Sequence, residues 1–358
     1  MTNKLNVYVG NLFDDYPMNN IPMFSIENRR YLGCKNSLVD FILPIINNEA
    51  PDAQTFLDLF AGTGIIGIKA LNYYPEVIFN DFLYSNVVSY NAFLADGDLD
   101  KECVQNFIRE MNNVDVSSLD DNYCSQNYGN KYFGMAAAKK IGYIRDEIER
   151  RKSEFSLKEY FVLVASLIYS ADRIANTTGQ FEAYRKKNKK FKDFEMRMVD
   201  AKCHKGVKIY NEDANVLVNR VKCDIVYMDP PYNSRQYCSM YHVLENLAKW
   251  DKPPLYWDTA KPSHLDNKSE YCKKNAIKVF TDLVTKVDAR YIAVSYNNTY
   301  DAKSQTSNNK MTLEEIRQIL ELRGTTKMFH IDYKPYNAGK TELVNHQEIL
   351  FITKVQNE

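Results

Sequence analysis

Apolar and polar positions along the chain form two recurring kinds of segment. Short, mostly apolar runs bounded by Gly, Asp or Pro are typical of strands buried on both faces, and the stretches between them have apolar residues at helical spacing. The predicted strands are Thr55–Phe60, Glu76–Phe79, Lys208–Tyr210, Asp224–Met228, Tyr291–Tyr296, Lys327–Tyr333 and Glu348–Thr353. The predicted helices are Ser37–Ile46, Ile65–Tyr73, Ser85–Leu94, Met240–Trp250, Glu270–Val287 and Leu313–Leu322. This alternation predicts an α/β fold with a doubly wound, mainly parallel sheet.

One long segment interrupts the alternation. Between about Asp96 and Cys203 the pattern predicts no buried strand. Residues 94–122 carry eight acidic and two basic side chains, whereas residues 139–192 carry fourteen basic and seven acidic ones. Arg185–Lys192 alone has six bases in eight residues. The pattern predicts a mainly helical subdomain inserted into the sheet.

Composition excludes several classes of protein. The 358 residues contain 46 Lys+Arg and 46 Asp+Glu, and this zero net charge argues against a wholly basic nucleic-acid binder, though not against a local basic face. The seven cysteines lack C-x-x-C spacing, so neither a disulfide framework nor a zinc knuckle is predicted. Met1–Gly10 has no signal-peptide pattern, and the longest apolar stretch, Tyr160–Ala171, is too short to span a bilayer. We therefore expect a cytoplasmic protein that does not bind membranes.

A glycine-rich loop follows the first predicted strand. Residues 56–67 read FLDLFAGTGIIG, in which Gly62, Gly64 and Gly67 open a helix. Asp81 lies 19 residues after Gly62, at the end of the next strand, where an acid can accept hydrogen bonds from ribose hydroxyls. The loop predicts a cofactor that contains adenosine, with a plain strand–helix turn as the alternative. Both a nicotinamide dinucleotide and S-adenosylmethionine are such cofactors. No Gly-Lys-Ser/Thr follows, which excludes an NTPase loop.

A second motif ends the strand at residues 224–228. The sequence DIVYMDPPY places Asp229, Pro230, Pro231 and Tyr232 at the carboxyl end of a predicted central strand, where ligands bind in open α/β sheets. Methylation of an exocyclic amine on a nucleobase suits these residues. The Asp229 carboxylate and the Pro230 carbonyl would each accept one N–H bond and stabilise the positive charge that grows on nitrogen. The Tyr232 ring would stack on the base, and the chemistry needs no metal.

The chain resembles the Dam-like, alpha-group adenine-specific DNA methyltransferases of type II restriction–modification systems. The resemblance is carried by the glycine loop at 56–67, by RYLGCKNSL at 30–38, by DPPYNSRQY at 229–237 and by the stretch 172–187. The resemblance implies a Rossmann-like class I methyltransferase fold. It implies an S-adenosylmethionine-binding catalytic domain at 1–95 and 204–358, with a target-recognition domain inserted at 96–203. It further implies methylation of a flipped adenine within a short double-stranded DNA sequence, protecting host DNA from a cognate restriction endonuclease.

The resemblance also assigns roles to individual residues. Tyr31 and Lys35 would hold the methionine end of the cofactor, and Asp58 would meet its amino group. Phe60, Ala61, Gly62 and Gly64 would form the floor of the cofactor site. Asp81 would bind the ribose, and Asp213 would contact the adenine. None of these roles requires a metal ligand.

Basic residues outside the motifs offer candidate DNA contacts. The cluster that would neutralise phosphates, or else form a solvent-facing helix, consists of Arg185, Lys186, Lys187, Lys189, Lys190 and Lys192. Arg235, Gln236 and Tyr237 would line the base pocket or fill the space that a flipped base vacates, or else pack within their loop. His242 and Glu245, at helical spacing, are a candidate pair.

Three other functions are compatible with parts of the sequence. The same pocket chemistry would serve amino methylation of cytosine in DNA or of a base in RNA. A nicotinamide-dependent oxidoreductase would explain the glycine loop but leaves DPPYN unexplained. A non-catalytic DNA-binding subunit would retain the fold as a scaffold, against which the intact Asp229 and Tyr232 argue.

Overall fold

The described residues contain nine β-strands, which form one seven-stranded sheet and one small hairpin. The computed structural model describes residues 22–187, 190–231, 234–263, 266–298, 311–332 and 347–356. The strands are β1 Thr55–Asp58, β2 Glu76–Asn80, β3 Val207–Tyr210, β4 Lys222–Met228, β5 Leu255–Tyr256, β6 Lys261–Pro262, β7 Asp288–Asn297, β8 Gly324–Asp332 and β9 Gln347–Val355. All seven strands predicted from the hydrophobic pattern are present. The prediction succeeded because each strand is a short apolar run that stands out from its neighbours in the sequence. The two-residue strands β5 and β6 are too short to leave such a signal.

The seven-stranded sheet has the order β3-β2-β1-β4-β7-β9-β8. Its first five strands are parallel, and β9 runs antiparallel to both of its neighbours, so the predicted mainly parallel sheet is confirmed. The chain leaves β1 towards β2 on one side, and it leaves β4 towards β7 on the other. This reversal opens a crevice at the carboxyl ends of β1 and β4, where open α/β sheets bind ligands.

Helices cover both faces of this sheet. They are α1 Val39–Glu49, α2 Ile65–Ala70, α3 Tyr84–Phe93, α4 Lys101–Asn112, α5 Tyr123–Tyr128, α6 Met135–Arg150, α7 Leu157–Ile174, α8 Ala214–Leu217, α9 Tyr237–Met240, α10 His242–Lys249, α11 Ala276–Lys286 and α12 Leu313–Glu321. One hydrophobic core joins the sheet to α8, α11 and α12. The other joins it to α1, α2, α3, α7 and α10. The doubly wound arrangement is therefore confirmed.

The long segment after β2 contains α4 to α7. Its described residues contain no strand of the sheet, as predicted. Helix α7 packs against α3 and α10, so its apolar residues share the core of one sheet face. The Lys158 ammonium donates to the carbonyls of Asn91, Ala95 and Lys202 at 2.7–2.9 Å, which ties the beginning and the end of the segment together. The assignment of residues 96–203 to a separate recognition domain stays a prediction.

A buried arginine joins this segment to the region after the DPPY motif at 229–232. Arg145 on α6 is fully buried and donates to the carbonyls of Leu247 and Ala248 at 2.8 and 3.2 Å. These carbonyls lie at the end of α10, where backbone acceptors lack helical partners. Within the described residues, no helix has both the length and the apolar character to cross a membrane.

Candidate active site

A cleft opens at the carboxyl ends of β1, β2 and β4. This is the edge at which open α/β sheets bind ligands. The cleft brings together most of the predicted site residues: Tyr31, Lys35, Asp58, Phe60, Ala61, Gly62, Asp81, Asp213, Asp229, Pro230 and Pro231. Three motifs that are distant along the sequence therefore meet at one place. Tyr232 lies outside the described residues.

The glycine loop exposes its main chain to this cleft. Gly62 and Gly64 have φ angles of +56° and +79°, which side chains rarely adopt. A Cβ on Gly62 would lie 3.1 Å from the Tyr31 ring, so glycine keeps that part of the cleft open. Gly64 does not line the cleft; it precedes α2, where a Cβ would lie 2.9 Å from the Tyr90 ring. Its predicted place on the cofactor floor stays a prediction.

Two buried acids hold the backbone of the glycine loop in place by accepting its N–H groups. Asp81 accepts hydrogen bonds from the backbone N–H groups of Gly62 and Leu83 at 2.8 and 2.7 Å. Asp58 accepts one from Gly67 N–H at 2.9 Å. Burial raises the pKa of Asp81 to about 6 and that of Asp58 to about 8. Each carboxylate retains lone pairs for a ligand, since it offers about four acceptor positions.

The DPPY motif contributes a largely buried acid that is only half paired. Asp229 Oδ2 lies 3.0 Å from the Lys35 ammonium. Asp229 Oδ1 is buried and has no hydrogen-bond partner among the described residues. Burial raises the pKa of this carboxyl, and Lys35 opposes the rise. Since a buried acceptor without a partner costs free energy, its persistence marks a position prepared for a ligand N–H.

Asp213 lines the cleft from the beginning of α8. Its side chain caps that helix by accepting the N–H of Asn215 at 2.9 Å. Asn215 also accepts the hydroxyl of Tyr271 at 2.8 Å, and the Tyr271 ring meets Phe60 edge to face at 5.1 Å. Phe60 and Tyr271 therefore form an aromatic wall near the predicted adenine contact.

Sequence analysis missed Tyr271 and Glu348. Tyr271 belongs to no recognisable motif. Glu348 lies 4.0 Å from the Lys35 ammonium, and burial raises its pKa to about 7. An acid at the start of an otherwise apolar strand was the available signal, because charged side chains are seldom buried without a partner.

The side chains that follow the DPPY motif point partly into the cleft and partly into solvent. Gln236 and Tyr237 line the cleft, whereas Arg235 is exposed and pairs with Glu182 at 3.5 Å. Tyr237 is tilted against Tyr31, with ring centroids 5.6 Å apart. Tyr31 in turn stacks on Tyr241 at 4.8 Å, which fixes the ring beside Gly62.

The candidate pair of His242 and Glu245 does not form. The two ring nitrogens of His242 each lie 3.0 Å from a carbonyl oxygen, one of Ser239 and one of Thr259. Glu245 instead accepts the N–H groups of Tyr84 and Ser85 at the beginning of α3. Unpaired N–H groups at a helix start attract a carboxylate, and here they hold Glu245 in place of His242.

The basic cluster lies on irregular backbone. Arg185, Lys186, Lys187, Lys190 and Lys192 are all exposed, and Lys189 lies outside the described residues. The described part of residues 175–206 contains no helix, so the alternative of a solvent-facing helix is wrong. Lys186 forms an ion pair with Asp258 at 2.7 Å, which places the cluster beside the turn between β5 and β6.

The cleft fits an adenosine-containing cofactor. It offers an open glycine backbone, an acid at the end of β2 and an aromatic wall. Within the ranges that the structure covers, no three His, Cys, Asp or Glu side chains converge to hold a metal ion.

Comparison with known proteins yields consistent relatives. Type II methyltransferase M.FokI of Planomicrobium okeanokoites is 32% identical over 349 residues, which are 91% of this chain and 52% of that protein. Type II methyltransferase M.NlaIII of Neisseria lactamica is 32% identical over 88% of this chain and 95% of its own length. M.CviAII of Paramecium bursaria Chlorella virus 1 is 36% identical over 75% and 83%. The chain thus spans about half the length of M.FokI but nearly all of M.NlaIII.

The family comparison covers all the motifs in the cleft. Residues 31–322 match the D12 class N6 adenine-specific DNA methyltransferases, a range that runs from Tyr31 past the glycine loop and Asp229. This match includes most of the chain and agrees with the sheet order and the position of the cleft. The protein therefore belongs to the D12 class N6 adenine-specific DNA methyltransferase family.

Proposed function

We propose that this protein transfers a methyl group from S-adenosylmethionine to the exocyclic amino nitrogen of an adenine in a specific short sequence of double-stranded DNA. One observation carries the proposal: the buried Asp229 carboxylate, with Oδ1 unpartnered among the described residues, lies in the same cleft as the glycine loop. A planar aromatic amine needs such an acceptor before it can attack. The family and its type II relatives support the same reaction.

The residues of the catalytic motif would activate the amine. Asp229 Oδ1 would accept one N–H, and the carbonyl oxygen of Pro230, a residue that lines the cleft, would accept the other. These two bonds draw the nitrogen towards tetrahedral geometry and stabilise its developing positive charge. Pro230 and Pro231 fix φ and leave carbonyls without competing N–H donors. The stacking proposed for Tyr232 rests on the sequence.

The cofactor would lie across the glycine loop. When bound, S-adenosylmethionine supplies an electrophilic methyl group on a sulfonium. Asp81 would hold the ribose hydroxyls while it still binds Gly62 N–H. Asp213 and the wall of Phe60 and Tyr271 would enclose the adenine, and Asp58 would meet the methionine amino group. Lys35 lies at the Asp229 end of the cleft, which suits its proposed place near the methionine.

A finer classification is also proposed. The order of the motifs at 30–38, 56–67 and 229–237 supports membership of the Dam-like alpha group within the family. In that arrangement, 1–95 and 204–358 form the catalytic domain and 96–203 the recognition domain. We expect the irregular part of 96–203, with its exposed bases, to face DNA, since α7 is committed to the core. The biological partner would be a restriction endonuclease that cuts the same sequence.

Incorporation of labelled methyl groups tests the proposal. Wild-type protein incubated with plasmid DNA and tritiated S-adenosylmethionine should label the DNA, and Asp229→Ala should reduce the rate by at least a thousandfold. The exposed Asp288→Ala, at the start of β7 and therefore at the sheet edge opposite the cleft, is the matched control and should retain full activity. No labelling by wild-type protein, or equal labelling by Asp229→Ala, would refute the assignment.

Digestion of the product separates the alternatives. N6-methyladenine among the nucleosides supports the proposal, whereas methylated cytosine, or label in RNA only, favours the alternative substrates. Calorimetry with S-adenosylmethionine and NAD distinguishes a methyltransferase from an oxidoreductase. Tight DNA binding without turnover would instead indicate a non-catalytic subunit.

A further inference from the structure

The turn of the β5–β6 hairpin holds two aromatic side chains in solvent. Trp257 is 68% exposed, and the neighbouring Tyr256 is 47% exposed. Trp257 and Ala260 have φ angles of +61° and +49°, a conformation that is unfavourable for residues with a side chain. The other tryptophan of the chain, Trp250, is 8% exposed and donates its Nε1–H to Asp146. The two tryptophans thus differ in burial: Trp250 packs in the hydrophobic core, whereas Trp257 does not.

The hairpin is firmly attached to the body of the protein. The carbonyl oxygen of Thr259 accepts the hydroxyl of Tyr132 at 3.0 Å and lies 3.0 Å from His242 Nε2. Lys261 donates to Ser239 Oγ at 2.8 Å, and Ala260 is buried. These contacts hold the strained turn in one conformation. The aromatic rings are therefore presented to solvent on a well-anchored support, where a partner can cover them.

This hairpin adjoins the candidate active site. Trp257 lines a shallow concavity together with Arg235, Lys261 and Lys268. Gln236 lines both this concavity and the cleft that contains Asp229. A polymer lying in the concavity would consequently pass the mouth of the cleft.

The charge of this surface favours an anionic partner. Two acids near the turn are already paired with cations, Asp258 with Lys186 at 2.7 Å and Glu182 with Arg235 at 3.5 Å. Lys187 and Lys268 are exposed and form no ion pair with any described residue. Tyr184 donates its hydroxyl to Asp258, which joins the irregular basic segment to the hairpin. The combined surface is positive around an exposed aromatic ring.

We propose that the β5–β6 hairpin, flanked by the basic segment around Lys187, is the surface that receives duplex DNA, and that the Trp257 ring stacks on a base next to the position that the target vacates. The inference rests on the proposed function, because it needs DNA as substrate. An aromatic ring can stack on a base, and the Lys and Arg side chains beside it can bind the neighbouring phosphates. A second copy of the protein fits less well, since the same lysines would lose hydration without gaining anions.

Fluorescence gives a test that does not depend on turnover, because the chain has only two tryptophans. Wild-type protein is titrated with a 20-base-pair duplex taken from plasmid DNA that it methylates. Bound DNA should quench Trp257 emission and at least halve its quenching by acrylamide, and Trp257→Phe should show neither change. A gel shift in parallel establishes binding. If the duplex binds but acrylamide quenching stays the same, the hairpin is not the contact surface.

Kinetics separate stacking from electrostatic attraction. Trp257→Ala should lower kcat/KM for duplex DNA by roughly tenfold to a hundredfold, Trp257→Phe should retain most of it, and neither should alter the dependence on salt. Lys268→Ala should flatten that dependence. The exposed Tyr73→Ala is the control and should behave like wild type. Normal kinetics for a folded Trp257→Ala would overturn the inference alone, whereas absence of DNA binding and methylation by wild type would overturn the proposed function as well.

Discussion

The ammonium of Lys35 lies between two buried carboxylates, 3.0 Å from Asp229 Oδ2 and 4.0 Å from Glu348 Oε2. The three side chains are 6%, 15% and 9% exposed, respectively. They come from the loop before α1, the end of β4 and the beginning of β9. Burial raises the pKa of both acids, and the cation opposes this rise. One lysine therefore keeps two buried acids closer to their ionised forms.

Replacement of Lys35 should destabilise the fold in a pH-dependent manner. Lys35→Met leaves Asp229 and Glu348 without their cation, and loss of one partner from a buried pair costs about 3 kcal/mol or more. The substitution raises the folded-state pKa of both acids further, so the deficit should be larger at pH 8 than at pH 5. Urea unfolding at the two pH values measures it. Lys69→Met, which removes an exposed pair with Glu27, should change stability by less than about 0.5 kcal/mol at either pH.

Asp58 should make the stability of the ligand-free protein fall as the pH rises. Burial raises its pKa to about 8, above the value in the unfolded chain. The folded protein thus holds a proton that the unfolded chain releases, and stability declines between about pH 4 and pH 8, with a slope approaching about 1.4 kcal/mol per pH unit. Asp58→Asn keeps an acceptor for Gly67 N–H but removes this proton. Unfolding curves from pH 5 to 8 should therefore be flatter for the variant.

A control with the opposite shift is Asp282→Asn. A hydrogen bond from Lys286 lowers the pKa of Asp282, so this acid is ionised throughout the range from pH 5 to 8. Its removal should leave the slope unchanged. Equal slopes for wild type and Asp58→Asn would show that Asp58 is ionised in the folded protein already at pH 5.

The elements of the sheet were predictable because their signals are local. Each strand is a short apolar run, and the glycine loop and DPPY each occupy consecutive residues that define the cleft. The partners of these motifs were not predictable in the same way. Glu348 reaches Lys35 across more than 300 residues, and Tyr271 contributes through the packing of α8 and α11. Such contacts depend on strand order, which no single stretch of sequence encodes.

The wrong hypotheses have a common physical cause. His242 and Glu245 have the spacing of a helical pair, but a buried helix start and two carbonyls compete for them. Arg185 lies in a segment that folds back on itself, since its N–H and carbonyl oxygen both bind Asn176. Tertiary hydrogen bonds of this kind override short-range patterns.

Close packing beneath the glycine loop should make Gly67 intolerant of a side chain. A Cβ there would lie 2.3 Å from the Phe79 ring. We expect Gly67→Ala to cost about 1–3 kcal/mol, and Phe79→Leu to recover part of this loss in the double variant because it removes the clash. A double-mutant cycle by urea unfolding measures the coupling. Gly179 is the control: it has nothing within 4 Å and a φ of +109°, so alanine there should cost only the backbone strain. Additive free-energy changes for Gly67→Ala and Phe79→Leu would contradict the packing argument.

The exposed bases beside the hairpin should determine how DNA binding responds to salt. Each phosphate contact contributes about 0.9 to the slope of log affinity against log salt. Arg185→Ala and Lys187→Ala should each reduce the slope by about 0.9 and weaken binding similarly for all sequences, because phosphates carry no base identity. Titrations between 50 and 200 mM salt, roughly the range in which counterion release is readily measured, provide the slopes. Lys278→Ala, on α11 at the opposite face of the sheet, should leave the slope unchanged. An equal slope for all three variants and wild type would place Arg185 and Lys187 in solvent even when DNA is bound.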